Sequence, residues 1–512
     1  MNIRTYSLFF FFFLFVTVNW LSSCEREVAI SDRALYDIQC GSCHIPPQIE
    51  DLPRTIWEKN ILPEMAVRMG IKVAGYNPLK GLSYDEQEAV LKTGIYHPGP
   101  GIKEEEWSRL RDYILALAPD SLPNTPKTNS HKLSGFDEKP LHIDAVPGSK
   151  NITFLEYEKD GGTLLIADLQ GELIRYNVEK QTEELLGRFQ NPIVSYSEAP
   201  QRIYATSIGQ LNPTEIPSGQ LFKKSEAGFS PRSDLLHRPV HMLVADLDKD
   251  GIEEVVISEF GNLAGRLSLF KDNGEGEMQK QVLLEQPGCI RVIDRDMNGD
   301  GKTDLVVLTA QGDEGIIILY QEEPLVFRAE KVLRFSPVYG SSWFDLLDYE
   351  GDGDLDIITV NGDNADKSYV HKPYHGFRIH LNNGQNKFEE AFFYPMNGAT
   401  RVVGDDFDQD GDMDFALAAT FPDYEKDPLL SFIFLKNEES GNFTFSTEVL
   451  EKPGLGRWLL LEKGDVDLDG DKDLIISPFT YVFTPVPDSL NQAWHTKGID
   501  LLILENTLFS ND

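Results

Sequence analysis

Asp406-Phe407-Asp408-Gln409-Asp410-Gly411-Asp412-Met413-Asp414, running directly into Phe415-Ala416-Leu417, is the stretch that decides the fold. Carboxylates stand at loop positions 1, 3, 5 and 9, a glycine stands at position 6, and an apolar run follows. The frame D-x-[DNE]-x-D-G-x-x-[DE] occurs four more times. Asp246, Asp248, Asp250 and Glu254 carry it first, then Asp296, Asn298, Asp300 and Asp304, then Asp348, Glu350, Asp352 and Asp356. Asp465, Asp467, Asp469 and Asp473 carry it last. The five loops start 50, 52, 58 and 59 residues apart. Repeats of that length belong to solenoids, propellers or arrays.

The chemistry of one loop is that of a hard-cation cage. Oxygens at positions 1, 3 and 5 converge on one centre, the glycine permits the sharp turn, and the carboxylate at position 9 closes the cage. Calcium takes six to eight such oxygens, so up to five calcium ions are expected. Four carboxylates in one loop repel one another without a counter-ion. Asn298 replaces one of them in the second loop and predicts weaker binding there. The pattern is similar to the first half of an EF-hand loop, but strands follow it instead of helices: Val255-Val256-Ile257, Leu305-Val306-Val307, Ile357-Ile358, Phe415-Ala416-Leu417 and Leu474-Ile475-Ile476.

Each repeat continues through a second apolar strand to an Asn/Gly turn near an aromatic. Arg378–Leu381 leads to Asn382-Asn383-Gly384 and Phe388, and Phe432–Leu435 leads to Asn442-Phe443. Asn-Gly between apolar runs signals a hairpin. About four strands per repeat make a propeller blade. Residues 238–508 resemble FG-GAP or VCBS repeats, the blades of integrin-like propellers. Two weaker blades precede them, at 150–188 with Leu164–Ile166 and Leu173–Tyr176, and at 190–236 with Ile193–Tyr196 and Arg202–Tyr204. The expected architecture is a multidomain chain whose seven-bladed, all-β propeller covers 143–508. Closing the ring hides strand edges.

The N-terminal part carries a different signal. Cys40-Gly41-Ser42-Cys43-His44 matches the CxxCH signature of covalent c-type haem attachment. A structural zinc site needs a second Cys or His pair, and none accompanies it. Ser83-Tyr84-Asp85-Glu86 reads as a capping box. Glu104–Leu117 reads as an amphipathic helix with Trp107, Leu110, Tyr113, Ile114 and Leu117 on one side. Residues 24–120 therefore resemble a small, all-α class I cytochrome c domain with one covalent haem. That resemblance implies Cys40 and Cys43 as attachment points, His44 as proximal ligand and Met65 as distal ligand, in a helix over 55–70 that breaks at Pro63. Met69 and His97 are the alternatives. Residues 121–142, rich in Pro, Asn, Thr, Ser and Lys, read as a linker.

Residues 1–23 read as an export signal, with Arg4 ahead of the apolar Leu8–Val18. Leu21-Ser22-Ser23-Cys24 resembles a bacterial lipobox, which implies lipid on Cys24 and anchorage in the cell envelope, at the outer membrane. Cys289 is left as a small buried hydrophobe. The formal charge of −36 argues against nucleic acid as a partner, since phosphates need Lys and Arg. Quinoprotein dehydrogenases also join a propeller to a cytochrome, but the propeller tryptophans Trp343, Trp458 and Trp494 have no repeat period. The reading is an electron carrier with a redox partner protein rather than a catalyst. An oxidoreductase and a ligand-binding adhesion propeller are the rivals. Counting five residues back from each loop start gives His241, Arg291, Trp343 and Arg401, with Arg457 taken for the last blade. These are expected on the propeller axis, where they would attract an anionic ligand or brace the blades.

Overall fold

The five strands that follow the acidic loops, Glu254–Glu259, Asp304–Thr309, Asp356–Asn361, Asp414–Ala419 and Asp473–Pro478, are buried along their whole length. Strands buried on both faces read as continuous apolar runs, and here the cover on each side is a neighbouring blade. The computed structural model describes residues 30–126, 129–143, 148–159, 161–200, 202–273, 278–365, 368–481 and 484–509. The segment expected to be an export signal and Cys24 lie outside them.

Seven antiparallel sheets form the blades, spanning 152–188, 193–231, 239–284, 289–334, 341–395, 399–449 and 458–506. Successive inner strands lie side by side, and that of blade 7, Trp458–Gly464, lies against that of blade 1, Ile152–Glu158. The ring is therefore closed, and the seven-bladed expectation holds. Outermost strands such as Gln279–Leu284 face solvent and carry polar residues. Cys289 opens the inner strand of blade 4 and is fully buried.

The linker reading is corrected. Phe136–Leu141 is the outermost strand of blade 7, paired with Leu501–Asn506 from Phe136↔Asn506 to Leu141↔Leu501. His131–Lys132 adds a parallel fifth strand to blade 6 against Glu448 and Val449. The last blade is thus completed by chain from before the first, which staples the ring shut. The sequence hid this because an edge strand is polar and tolerates Pro.

Ahead of the propeller, helices at Asp32–Cys40, Leu62–Arg68, Tyr84–Lys92 and Glu104–Leu117 enclose Leu35, Tyr36, Trp57, Ala66, Leu110 and Ile114. The capping box is present: Glu86 N–H donates to Ser83 Oγ and Ser83 N–H donates to Glu86. The break expected at Pro63 is absent. Trp57–Ile61 forms a π turn, in which Leu62 N–H donates to the Trp57 carbonyl, and the helix continues through Pro63. Widening the turn absorbs the bond that proline cannot make.

The helical unit sits on the face opposite the acidic loops. Its core packs against Val338, Tyr339, Val370 and Tyr374 of blade 5 and its entry. Tyr374 OH donates to the Asp51 carbonyl at 2.8 Å, and Thr214 of blade 2 reaches Glu86 at 3.4 Å. The unit therefore touches connections of two blades three places apart in the ring.

Candidate functional site

In each acidic loop the backbone is held by its own carboxylates. The position-1 carboxylate accepts the glycine N–H in Asp246/Gly251, Asp296/Gly301, Asp348/Gly353 and Asp406/Gly411 at 2.8 to 3.0 Å. Position 4 is left-handed in every loop, at Lys249, Gly299, Gly351, Gln409 and Leu468. This folds the side chains at 1, 3 and 5 inward. In blades 3 and 6, Asp246, Asp248 and Asp250, and Asp406, Asp408 and Asp410, offer oxygens within 4.8 Å of one another. In blade 7 the trio is Asp465, Asp467 and Asp473. Blade 4 has Asn298 in this place, and blade 5 has Glu350, one methylene longer than the aspartate of the other loops.

Position 9 has a second job that sequence reasoning missed. Asp304, Asp356, Asp414 and Asp473 are at most 1% exposed. One oxygen of each accepts the position-2 N–H, from Met297, Tyr349, Phe407 and Val466. The other accepts an N–H from the third strand, at Gln321, Asn382, Asn437 and Asn506, each 2.8 Å away. Those four side-chain amides donate back to the position-8 carbonyl. Two of them also cross to the neighbouring blade, Gln321 to the Leu247 carbonyl and Asn506 to the Phe407 carbonyl. A recurring Asn or Gln one or two residues after the strand-three apolar run was the available signal.

Blade 3 keeps the position-2 bond, from Leu247 N–H to Glu254 at 3.0 Å, and differs at the other oxygen. Lys271 Nζ lies 2.7 Å from Asp248, 2.7 Å from Asp250 and 3.0 Å from Glu254. The loop thus carries its own cation where its carboxylates meet. In blade 6 the equivalent Lys436 reaches only Asp408, at 2.7 Å.

The cysteine motif closes the helix Asp32–Cys40, which Ser31 caps. Cys40 is half-buried and Cys43 exposed, both as free thiols. Burial, with Asp37 adding, pushes the Cys40 thiol up to about 12, the opposite of what a redox dithiol needs. His44 Nδ1 donates to the Ile45 carbonyl at 2.9 Å. That bond fixes the tautomer and leaves Nε2 free to ligate. Met65 and Met69 are half-buried against the same helical core, while His97 is exposed. A buried carboxylate beside them escaped notice. Glu64, 5% exposed, accepts from Arg68 Nε at 3.0 Å, Tyr76 OH at 2.6 Å and Tyr96 OH at 3.0 Å, tying the following loops to the methionine helix.

All seven inner strands shift register at the same point, reached at Phe154, Ser195, His241, Arg291, Trp343, Arg401 and Leu460. Bulges re-aim side chains, and these seven ring the axis. A cavity of about 650 Å³ is lined by them. Arg457 is corrected: the blade 7 position is Leu460. Arg457 is 1% exposed and braces connections instead, donating to Thr420 O at 3.0 Å and to Thr484 Oγ1. Arg291 pairs at 3.4 Å with Asp345 of the next inner strand, not with an acidic loop.

A family model described as FG-GAP-like repeat matches residues 296–359, which hold the loops of blades 4 and 5. Among solved structures, the chain is similar to the N-terminal domain of Nup159, at 12% identity over 75% of this chain and 99% of that one, with a TM-score of 0.41. It is also similar to the Pan2 WD40 domain of Neurospora crassa, at 10% identity over 73% and 97%, with a TM-score of 0.45. No curated protein matches the chain. A propeller with FG-GAP-like repeats suggests docking of a ligand or partner.

Proposed function

We propose that this protein is an envelope electron carrier: a helical unit with one covalent haem c, joined to a calcium-stabilised propeller that docks a partner or substrate. Lipid on Cys24 would anchor it to the bacterial outer membrane. The observation that supports the haem is the free imidazole edge of His44, directly after two free thiols at a helix end. Cys40 and Cys43 would carry the group, with His44 and Met65 as axial ligands. When bound, it supplies one-electron redox chemistry. The chain's part is to orient His44 through the Ile45 carbonyl, and to hold the Met65 helix through Glu64.

A reduced-minus-oxidised spectrum with a pyridine haemochrome tests the reading. A c-type spectrum and haem retained on a denaturing gel are expected, and haem that extracts into acid acetone rejects covalent attachment. Met65→Ala should abolish the near-infrared thioether-to-iron band while Met69→Ala keeps it. The reverse result moves the role to Met69.

Calcium would sit in the acidic loops, with oxygens from positions 1, 3 and 5. Lys271 competes for the blade 3 loop, because an ammonium and a dication want the same oxygens. Lys271→Met should therefore raise calcium affinity at one site by about tenfold, roughly 1.4 kcal/mol, in a calorimetric titration. An unchanged isotherm would mean that the lysine is no competitor.

A further inference from the structure

The geometry points to the axial cavity as a binding site for a small organic monocarboxylate, held by Arg291 and Arg401 on either side of Trp343. This names the pocket and ligand class for the docking role proposed above. Its failure would leave the haem and calcium readings intact.

Arg291 and Arg401, from the blades flanking blade 5, each place their guanidinium carbon 4.3 Å from the Trp343 ring centroid. Stacking on an indole holds a guanidinium by its face and keeps its N–H edge available, the edge that takes a carboxylate with two parallel bonds. The hydrogen bonds of the two groups leave most of these donors over. Arg291 donates to the Phe344 carbonyl and pairs with Asp345, while Arg401 donates to the Thr400 carbonyl at 2.8 Å. Among the described residues no carboxylate forms an ion pair with Arg401. Arg291 thus has a carboxylate partner, while Arg401 has only the electrostatic pull of the more distant Glu462, a partial balance that favours a single negative charge over a phosphate dianion.

Two glutamates also line the cavity, Glu156 and Glu462. Burial pushes Glu462 up to about 8 and Glu156 up to about 7, each further raised by a neighbouring carboxylate. Near neutral pH they are therefore partly protonated and oppose an anion less than their number implies. His241 stays neutral, lowered to about 3 by burial and by the two arginines. Its Nδ1 is buried without a hydrogen-bond partner. Phe154, Phe260, Ile290, Phe421 and Leu460 give the wall apolar surface, and Arg238 and Asp363 add charges of opposite sign that interact with each other. A cavity of about 650 Å³ lies in the usual range for small-molecule sites. Guanidinium edges with apolar surface beside them fit a carboxylate on a hydrocarbon body better than an inorganic anion.

The cavity rim includes Asp363, Phe421 and Tyr481, from connections between second and third strands. The helical unit packs on connections of that same face. A ligand would thus enter beside the proposed haem unit and away from the acidic loops.

The test is calorimetric titration of the full chain in detergent with 4-methylbenzoate, 4-methylbenzamide and sulfate, followed in parallel by tryptophan fluorescence. The benzoate should bind with a Kd of about 1 mM or lower, with the amide and sulfate at least roughly tenfold weaker. Arg401→Met should weaken the benzoate by about tenfold and leave the amide unchanged. Equal binding of benzoate and amide, equal binding of sulfate, an unaffected Arg401→Met variant or no benzoate binding would each overturn the proposal. Should Arg401→Met fail to fold, the wild-type comparison of acid with amide decides.

Discussion

Chelating calcium should lower the melting temperature of this protein, and restoring calcium should recover it. The five loops place 19 carboxylates at positions 1, 3, 5 and 9. Two blades bring three aspartate oxygens together at positions 1, 3 and 5, and a third does so at 1, 3 and 9. Without a cation those oxygens repel, and the chain as a whole is already at −36. A ligand that binds only the folded state at a thousandfold excess over its Kd stabilises it by ~4 kcal/mol. At roughly 2 °C per kcal/mol for a large domain, one lost site lowers the midpoint by about 8 °C. Magnesium should substitute poorly, because it demands a smaller, stricter octahedron. The measurement is a thermal melt in excess calcium, in chelator and in chelator with magnesium. Equal midpoints in the first two would reject calcium as a stabiliser.

The loops were legible because their chemistry needs fixed residue types at fixed offsets. A reader of Asp348-Tyr349-Glu350-Gly351-Asp352-Gly353 needs no structure to expect a turn and a strand. The two blades without loops were legible only as alternating apolar runs. The closing strand Phe136–Leu141 was not, since its burial alternates weakly and its partner lies more than 350 residues away in sequence. Periodicity carries no information about such a pairing. The axis was reached by counting, and the count worked wherever it was applied strictly. His241, Arg291, Trp343 and Arg401 each stand at the inner-strand register shift. It failed at Arg457, where a charged residue was preferred to the apolar Leu460 that the count gives. In the helical unit the cysteine motif, the capped helix Tyr84–Lys92 and the amphipathic helix Glu104–Leu117 were plain in sequence. The π turn and the Glu64 cluster were not, because both depend on how distant segments meet.

Position 9 yields the second large effect, and it separates a brace from a ligand. Asp356→Ala removes both acceptors of a carboxylate that is 1% exposed. The Tyr349 and Asn382 N–H groups, 2.9 and 2.8 Å from its oxygens, are both buried. Leaving a buried donor unpaired costs about 1–3 kcal/mol, so the pair costs roughly 2–6 kcal/mol. That loss needs no metal and should persist in chelator. Asp348→Ala, at position 1 of the same loop, removes an exposed acceptor of the Gly353 and Asp352 N–H groups, whose donors water can reach. Its cost should therefore be large in calcium and small in chelator. Denaturant melts of both variants in both conditions give the comparison. If Asp356→Ala were silent in chelator, its carboxylate would serve the cation alone, and the two backbone bonds that tie loop to third strand would contribute nothing to the blade.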